Sequence, residues 1–400
     1  MIHNDIKYDI VMFNMSSMYD WDHGIVNRNY NVVNTLEKRE DIHRIISVDF
    51  LPIGIKKAIG HYFKNILWEI KNAEMIYGDL TSVCYQKSEK LFVYSTIDSI
   101  FSLKTVVREL KRIEKVLNLQ NVIFWSYNTL FIDFIGKLNE KLFVFDTVDN
   151  WSEHPEYLKL KPKVKILQNY QTIADKANLI FTVSNSLVDF YSALNRSKDI
   201  YWIPNGVDYD FFNNENMADQ QTKLDNCQGP IIGYLGTIEE RFDIDLLVEV
   251  AKANTEKTIA ICGPVWDGVK KQMQNKTRNL ENIIFTGRID YKLAPAYLNK
   301  FDVAIMPHKV NDFVKSMNPM KMYEYLACGK PIVSTKVAGI EQFDDLIYSS
   351  NDTVEFINLI TKALAEDNLD KQQKRRQASK NCSWDKRVQI MVDLIKTKLS

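Results

Sequence analysis

The sequence lacks the features that define several large classes of protein. Its 51 lysines and arginines balance 51 aspartates and glutamates, so no excess of charge favours nucleic acid as a partner. No uncharged apolar run approaches the length of a membrane-spanning helix. The first residues (MIHNDIK) lack the charged-then-apolar pattern of a secretory signal. We therefore expect a cytoplasmic protein.

Cysteine is also sparse, and no two cysteines form a CxxC pair. The five positions are 84, 227, 262, 328 and 382. An odd, scattered set argues against a disulfide framework and a zinc site, and it favours reduced thiols. The GxGxxG pattern of nicotinamide sites is missing, which disfavours a dehydrogenase. No DxD pair lies at a plausible strand end, so we expect no metal and no permanently bound cofactor.

Strand-like apolar runs alternate with helical patterns along almost the whole chain, as in parallel sheets with crossover helices. In the first half we predict strands near residues 9–13, 44–49, 90–94, 122–125, 142–145, 179–183 and 200–203. In the second half we predict them near residues 230–235, 258–261, 282–285, 302–306 and 331–334. Because 400 residues exceed one ordinary core, the pattern predicts an α/β fold of two doubly wound, Rossmann-like domains facing a cleft.

We place the first domain at residues 1–205 and the second at residues 206–378. Residues 379–400 are expected to form a terminal helix that packs back on the first domain. Of the 14 glycines, nine lie between positions 206 and 339, and several directly follow predicted strands. Glycine at the carboxyl end of a strand lets a ligand approach the backbone closely. We therefore predict that the second domain binds a nucleotide and the first binds the other substrate.

The most informative segment is residues 316–331 (SMNPMKMYEYLACGKP), between two predicted strands. Asn318 can cap a helix, and Pro319 fits its first position. Gly329, followed by Lys-Pro, predicts the end of that helix. The segment is therefore expected to place a short helix at the carboxyl edge of the second sheet.

Two charged residues on this helix suit a nucleoside diphosphate. Lys321 lies in the first turn, where its ammonium adds to the free N–H groups that attract phosphate. Glu324 lies at i+3 on the same face and suits ribose hydroxyls. The alternative is an ion pair between these two residues on a solvated helix, worth a few tenths of a kcal/mol.

Three further loops of the second domain are candidates for the same site. Gly236 and Thr237 can offer N–H groups to a phosphate, and Arg241 can clamp it. Gly263 follows the next strand at the same edge. The loop at residues 288–289, Arg288 with Ile289, can contact a base through its backbone. The alternatives are a surface arginine and an ordinary strand-to-helix turn.

In the first domain, acidic residues and a histidine follow a buried strand at residues 145–155 (FDTVDNWSEHP). Asp149 is the candidate base that accepts a proton from an acceptor hydroxyl, and Glu153 and His154 are second choices. Aspartates after strands also serve as turn formers and helix caps. His23, in the first strand-helix loop, is another candidate base or acceptor contact, although a loop histidine is often only solvated.

Residues 55–71 (IKKAIGHYFKNILWEIK) combine four lysines with aromatic and aliphatic residues. A basic amphipathic helix of this kind can lie on an anionic membrane surface. A helix that packs its apolar side on the core and solvates its basic side is the alternative.

Together these motifs resemble the GT-B glycosyltransferases. The resemblance is carried by residues 203–208, 233–247, 263–264, 287–298 and 316–331. They resemble the nucleotide-sugar half of the family-4 glycosyltransferases, and the chain is also similar to bacterial glucuronosyl and teichuronic acid transferases. The resemblance implies a hexosyltransferase that uses a nucleotide-diphosphate sugar, with UDP favoured, and a glycan or lipid-linked acceptor in surface polysaccharide synthesis.

The resemblance also implies residue roles. Lys321 and Arg241 would bind the diphosphate, Gly236 would contact it through the backbone, and Glu324 would bind the ribose. Asp149 matches an aspartate that serves as base in inverting glucuronosyltransferases.

One position departs from the family-4 pattern of two glutamates eight residues apart, because Ser316 stands where the first is expected. This favours inversion with Asp149 as base, but the fold leaves both stereochemical outcomes open. A nucleotide-sugar epimerase and a non-catalytic nucleotide-sugar-binding protein remain the alternative functions.

Overall fold

The computed structural model describes residues 7–49, 51–52, 54–66 and 73–400. The chain divides into two compact units: the first ends at Ile203 and is joined by Val388–Ser400, and the second is Pro204–Arg387. The division falls two residues before the predicted boundary. Residues 379–387, predicted to belong to the returning helix, lie in the second unit instead.

The first unit is built on a nine-stranded sheet. Its strands are β1 (Tyr8–Phe13), β2 (Ile42–Val48), β3 (Glu74–Gly78), β4 (Ser82–Gln86), β5 (Leu91–Thr96), β6 (Val122–Ser126), β7 (Leu142–Thr147), β8 (Leu179–Thr182) and β9 (Ile200–Trp202). They lie in the order β3-β4-β5-β2-β1-β6-β7-β8-β9. All neighbouring pairs from β5 to β9 are parallel, whereas β3–β4 and β4–β5 are antiparallel.

Helices connect the strands of the first unit. They are α1 (Met18–Asp22), α2 (Arg28–Glu37), α3 (Ile55–His61), α4 (Leu103–Val116), α5 (Pro155–Leu160), α6 (Lys163–Lys176) and α7 (Asn185–Ala193). A π-helical turn (Tyr62–Ile66) continues α3, and single 3₁₀ turns occupy Asp98–Ile100 and Ile132–Phe134.

The second unit is built on a six-stranded parallel sheet. Its strands are β10 (Ile231–Leu235), β11 (Thr258–Cys262), β12 (Ile283–Gly287), β13 (Val303–Met306), β14 (Ile332–Ser334) and β15 (Ile347–Ser349). They lie in the order β12-β11-β10-β13-β14-β15, and all pairs are parallel. The strand order reverses between β10 and β13, and doubly wound sheets bind ligands at the carboxyl ends of the strands at such a point.

The helices of the second unit cover both faces of this sheet. They are α8 (Tyr209–Phe212), α9 (Ile244–Ala253), α10 (Asp267–Thr277), α11 (Ala294–Asn299), α12 (Asp312–Ser316), α13 (Met320–Ala327), α14 (Thr353–Glu366) and α15 (Leu369–Lys380), and the chain ends with α16 (Trp384–Leu399). Single 3₁₀ turns occupy Glu215–Met217, Tyr291–Leu293 and Ile340–Phe343.

The apolar runs of the sequence form the buried strands of both sheets. All six residues of β1 and all five residues of β10 and β11 are buried. Strands that are covered on both faces have continuous apolar sequences, and for this reason most strands of the two sheets could be predicted. The predicted α/β class with two Rossmann-like sheets is confirmed.

The basic segment at residues 55–71 only partly matches its prediction. Helix α3 covers its start and the π-helical turn its middle, and residues 67–71 lie outside the described part of the chain. Ile55, Ile59 and Phe63 are 70%, 54% and 56% exposed. Within the described residues no helix combines the length and apolarity needed to cross a bilayer.

Candidate functional site

Two glycines join the carboxyl ends of β10 and β11. The Gly236 N–H donates to the carbonyl of Cys262 at 2.9 Å. A Cβ on Gly263 would lie 2.0 Å from the Gly236 carbonyl oxygen, so any side chain there would collide with backbone. Both residues have positive φ, which glycine adopts most easily. The backbones of the two turns therefore approach each other closely at this edge.

Helix α13 is fixed to this edge by a tyrosine hydroxyl. The Tyr325 hydroxyl accepts from the Leu235 N–H at 2.8 Å and donates to the Leu235 carbonyl at 3.1 Å. Tyr325 is fully buried, so these bonds replace water at the end of β10. The N-terminus of α13 is thereby held beside Gly236.

The predicted role of Asn318 as helix cap is wrong. Pro319 occupies the capping position, and no side chain caps the helix. Asn318 instead accepts from the Asn205 N–H at 2.8 Å and from the Tyr323 hydroxyl at 3.0 Å. Its partner Asn205 lies 113 residues away in the sequence, so the local sequence pattern could not predict this hydrogen bond.

Lys321 is directed at the glycine turn rather than along its own helix. A Cβ on Gly236 would lie 3.0 Å from Lys321 Cε and 3.3 Å from its Nζ. The ammonium lies 5.1 Å from the centre of the buried Tyr234 ring, a cation–π distance. Among the salt bridges of the described residues none includes Lys321, so the predicted alternative, an ion pair with Glu324, is not formed.

Glu324 lies one turn beyond Lys321 and is half-buried. Burial raises the pKa of Glu324 to about 7, and the nearby Lys321 ammonium opposes the rise. A carboxyl group in this state is close to half-protonated at neutral pH. It can therefore accept or donate a hydrogen bond to a ligand hydroxyl.

Arg241 lies in the turn that follows β10, near the same edge. Its guanidinium forms an ion pair with Glu239, and Nη1 lies 3.5 Å from the Met317 sulfur. Its buried Nε has no hydrogen-bond partner among the described residues. The Lys309 N–H donates to the Arg241 carbonyl at 2.8 Å, which fixes this turn against the end of β13. The guanidinium thus keeps donor capacity for a ligand.

The remaining candidates of the second unit lie on several of its loops. The Thr237 carbonyl accepts from the Tyr234 hydroxyl at 3.0 Å, beside Gly236. Ser316 is buried at the end of α12, and its hydroxyl donates to the Phe313 carbonyl at 2.7 Å. Arg288 is exposed and Ile289 half-buried, and both follow β12 at the sheet edge, with β11 between that strand and β10. The structure therefore groups Gly236, Gly263, Arg241, Lys321 and Glu324, but not residues 288–289.

In the first unit, Asp149 and His154 lie in one loop after β7. Asp149 is half-buried, and its carbonyl accepts from the Tyr170 hydroxyl at 3.0 Å. The His154 ring lies 5.3 Å from the Trp151 ring and 5.7 Å from that of Tyr157. Glu153 forms an ion pair with Lys163 at 2.5 Å.

His23 lies elsewhere in the first unit, at the end of α1 after β1. Its ring is exposed and stacks on Tyr19 at 3.9 Å between centres. Its Nδ1 lies 2.7 Å from the Tyr19 carbonyl oxygen. This ring thus has local partners that account for its position.

The described residues contain no group of three or more His, Cys, Asp and Glu side chains arranged to hold a metal ion. The positive groups of the candidate site are Lys321 and Arg241. These cations are suited to the negative charge of a diphosphate.

Sequence reasoning missed several residues that build this site. Tyr234 lies in a predicted strand and Tyr325 in the predicted short helix, and their hydroxyls fix the glycine turn and α13. His308, buried after β13, gave no signal in the sequence beyond being one of six histidines.

Comparisons with known proteins agree with this architecture. Residues 229–366 match the family described as Glycosyl transferases group 1. A protein of Bacillus subtilis (strain 168) assigned as the teichuronic acid biosynthesis glycosyltransferase TuaH is 28% identical over 192 residues, 46% of this chain. The match spans about half the length of that relative, 48%.

Solved structures extend the likeness to the whole chain. HepE of Anabaena, crystallised with UDP and glucose, has a TM-score of 0.67 at 13% identity, covering 97% of this chain and 99% of its own. Sucrose-phosphate synthase of Thermosynechococcus elongatus has a TM-score of 0.71 at 13% identity, covering 98% of this chain and 99% of its own. At such identities the likeness shows the fold.

The two Rossmann-like units and these neighbours define the GT-B fold. The family match lies in the second unit, and together with the relative and the solved structures it confirms the resemblance to the GT-B glycosyltransferases found in the sequence.

Proposed function

We propose that this protein transfers a hexosyl group from a nucleotide-diphosphate sugar, with UDP as the favoured nucleotide, to a glycan or lipid-linked acceptor. The second unit binds the donor and the first binds the acceptor. The observation that carries the proposal is the ammonium of Lys321 beside the Gly236 turn, without an acidic partner among the described residues.

The positive groups at this edge suit the departing diphosphate. During transfer the bond between the anomeric carbon and the diphosphate oxygen breaks, and negative charge grows on that oxygen. Lys321, Arg241 and the free N–H groups at the start of α13 would stabilise this charge. Glu324, with its raised pKa, would bind the ribose hydroxyls.

The acceptor oxygen must lose its proton as the new glycosidic bond forms. We propose Asp149 as the group that takes this proton, with His154 and His23 as weaker candidates. The hydroxyl of Ser316 is already bonded to the Phe313 carbonyl, and no carboxylate stands at this position to face the donor sugar. This supports inversion of the anomeric centre.

Two of the similar proteins bear on the substrates. The name of TuaH places it in teichuronic acid synthesis, and HepE was crystallised with UDP and glucose. By analogy, we propose that the donor is UDP-linked and the product belongs to a bacterial surface polysaccharide.

The test begins with thermal-shift screening against UDP, GDP, ADP and their sugars. The best donor is then incubated alone and with extracted glycan or lipid acceptors, while released nucleotide and modified sugar are measured. Release that depends on acceptor supports transfer. Interconversion of the donor without acceptor would instead indicate an epimerase, and binding without any turnover would indicate a binding protein.

We also propose that residues 55–66 contact the inner face of the cytoplasmic membrane. Exposed Ile55, Ile59 and Phe63 share this short segment with the exposed Lys56, Lys57 and Lys64. Apolar groups that enter the acyl boundary and lysines that meet anionic headgroups act together in such binding.

Vesicles of phosphatidylglycerol with phosphatidylcholine provide the test, with phosphatidylcholine alone as reference. Replacing Lys56, Lys57 and Lys64 by Glu should release the protein from the anionic vesicles. The matched control replaces Lys104, Lys111 and Lys115, exposed on α4, by Glu. Equal release by both triple variants would show only a general charge effect.

A further inference from the structure

His308 lies inside the candidate site although the function above assigns it no role. It follows β13 and forms a single antiparallel bridge with Phe242, in the turn that carries Arg241. Its own N–H donates to the Thr335 hydroxyl at 3.1 Å. The backbone on both sides is thus fixed, and the imidazole is held at the carboxyl edge between the strand ends.

The imidazole is buried without hydrogen bonds. His308 is 1% exposed, and neither ring nitrogen has a partner among the described residues. An unpaired buried polar group generally destabilises a protein, and an apolar ring would avoid that penalty. A polar ring at this position therefore points to a role in ligand binding.

The surroundings of the ring are positive. The Tyr234 ring lies 6.5 Å from the His308 ring and 5.1 Å from Lys321 Nζ, so the imidazole and the ammonium share one tyrosine as neighbour. Burial first, then Lys321 and Arg241, hold the pKa of His308 well below its usual value. The unliganded ring is therefore neutral across the physiological range.

Two acidic residues lie near these cations, and Lys321 and Arg241 still lower the pKa of His308. Glu239 is paired with Arg241, and Glu324 lies one turn beyond Lys321 with its own pKa raised to about 7. The uncharged Tyr234 ring lies beside the imidazole, and the uncharged Phe242 and Thr335 contact the His308 backbone.

We propose that His308 is the proton-linked residue of the donor site: it is neutral while the site is empty and takes up one proton when the diphosphate of a nucleotide sugar binds Lys321 and Arg241. The inference rests on the proposed function. The two negative charges of the diphosphate oppose the effect of Lys321 and Arg241 and favour an imidazolium in the buried ring, so the pKa of His308 rises on binding. The proton comes from solvent and returns to it when the nucleotide leaves.

The consequence is pH-dependent donor affinity. Because the pKa of His308 is higher in the complex than in the free protein, binding takes up a proton and strengthens as the pH falls between those two values. One linked proton corresponds to a change in affinity of up to about tenfold per pH unit.

Calorimetric titration with UDP-glucose tests this directly, because its diphosphate does not titrate near neutral pH. Binding enthalpies in buffers of different ionisation enthalpy give the number of protons taken up between pH 6 and pH 8. Since Glu324 can also take up a proton, the measurement is repeated in Glu324→Gln, where uptake should persist. His308→Asn should lose it, whereas His43→Asn, an exposed histidine of β2, should behave as the parent protein.

Nitrogen-15 NMR of the histidines gives a second measurement of ring protonation. It uses the unaltered protein, so it does not depend on whether a variant folds. The His308 ring should be neutral without ligand at pH 6.5 and should become protonated with UDP-glucose bound. A ring that stays neutral in the complex, or uptake unchanged in His308→Asn, would overturn the inference and leave the proposed function standing. Failure of every nucleotide sugar to bind would remove both.

Discussion

The charged side chains at the carboxyl edges of the two sheets differ in how they are paired. In the first unit, Arg28 Nε lies 3.0 Å from both oxygens of Asp146, and both residues are fully buried. Asp49 there accepts from the Met18 N–H at 2.9 Å and from the Ser95 hydroxyl. The charges at this edge are thus used to hold the unit together.

At the corresponding edge of the second unit, the Lys321 ammonium has no acidic partner among the described residues, and Arg241 is paired with Glu239. Lys321 lies over an aromatic ring, and Arg241 keeps a buried Nε without a partner in the described chain. The named charges at the first edge are thus paired within the unit, whereas the Lys321 ammonium at the second edge lies over an aromatic ring.

Replacing the buried arginine tests the structural side of this contrast. Arg28→Met should leave the buried Asp146 carboxyl without its partner. The stability of the first unit should therefore fall by roughly 3–5 kcal/mol. Calorimetric unfolding of the full chain measures the effect. Arg39→Met, which removes a more exposed pair with Asp41, is the control and should cost less than about 1 kcal/mol. Equal, small losses would show that the Arg28–Asp146 pair does not stabilise the unit.

The proposed base should separate catalysis from donor binding. Asp149→Asn should lower turnover by roughly 10²–10⁴-fold, as expected when a general base is lost. Donor affinity should not change, because the proposed donor residues lie in the second unit. Asp189→Asn, which alters an exposed carboxylate on α7, is the control for steady-state assays. Near-normal turnover of Asp149→Asn would exclude it as base.

Removing the unpaired cation should affect binding and leave stability intact. Lys321→Met should weaken affinity for the nucleotide sugar by about 1.5–3 kcal/mol, the loss of a charge-assisted contact. Its melting temperature should stay near that of the parent, in contrast to Arg28→Met. Lys315→Met, which removes an exposed lysine paired with Asp312, should change neither quantity. Unaltered nucleotide affinity in Lys321→Met would contradict the assignment.

The smallest expected effect concerns pH and Glu324. Its pKa of about 7 lies above the ordinary value of 4.5, so its contribution to stability is full below pH 4.5 and is lost as the pH rises through 7. Glu324→Gln should therefore melt roughly 2–4 °C higher than the parent at pH 8, with little difference at pH 4.5. Thermal unfolding at both pH values checks this. A higher melting temperature at pH 4.5 only would show that the sign is wrong.

Much of the second unit was predictable because its signals are local. The apolar runs, the glycines after strands and the short helix after residue 316 each follow from neighbouring residues, as does the place of Lys321 in the first turn. Three strands were not predicted. They are β3, β4 and β15. The first two form an antiparallel hairpin at the sheet edge, where the sequence has no continuous apolar run. Strand β15 has only three residues, which is too short for a recognisable pattern.

The details of the site depend on contacts between distant residues. The sequence predicts Asn318 as a helix cap, but its side-chain oxygen instead accepts a hydrogen bond from the backbone N–H of Asn205, in another loop. Arg28 opens α2, and its buried partner Asp146 lies 118 residues away in the sequence. His308 becomes relevant only when β10 and β13 bring Arg241 and Lys321 beside it. Such partners arise from tertiary packing and cannot be assigned from spacing alone.

The most direct test of the central claim is a crystal structure of this protein with UDP bound. The account predicts a diphosphate oxygen within about 3 Å of Lys321 Nζ, with the phosphates over the Gly236 turn and the ribose hydroxyls at Glu324. A nucleotide bound at another edge, with the Lys321 ammonium still lying over Tyr234 and no phosphate near it, would contradict the account.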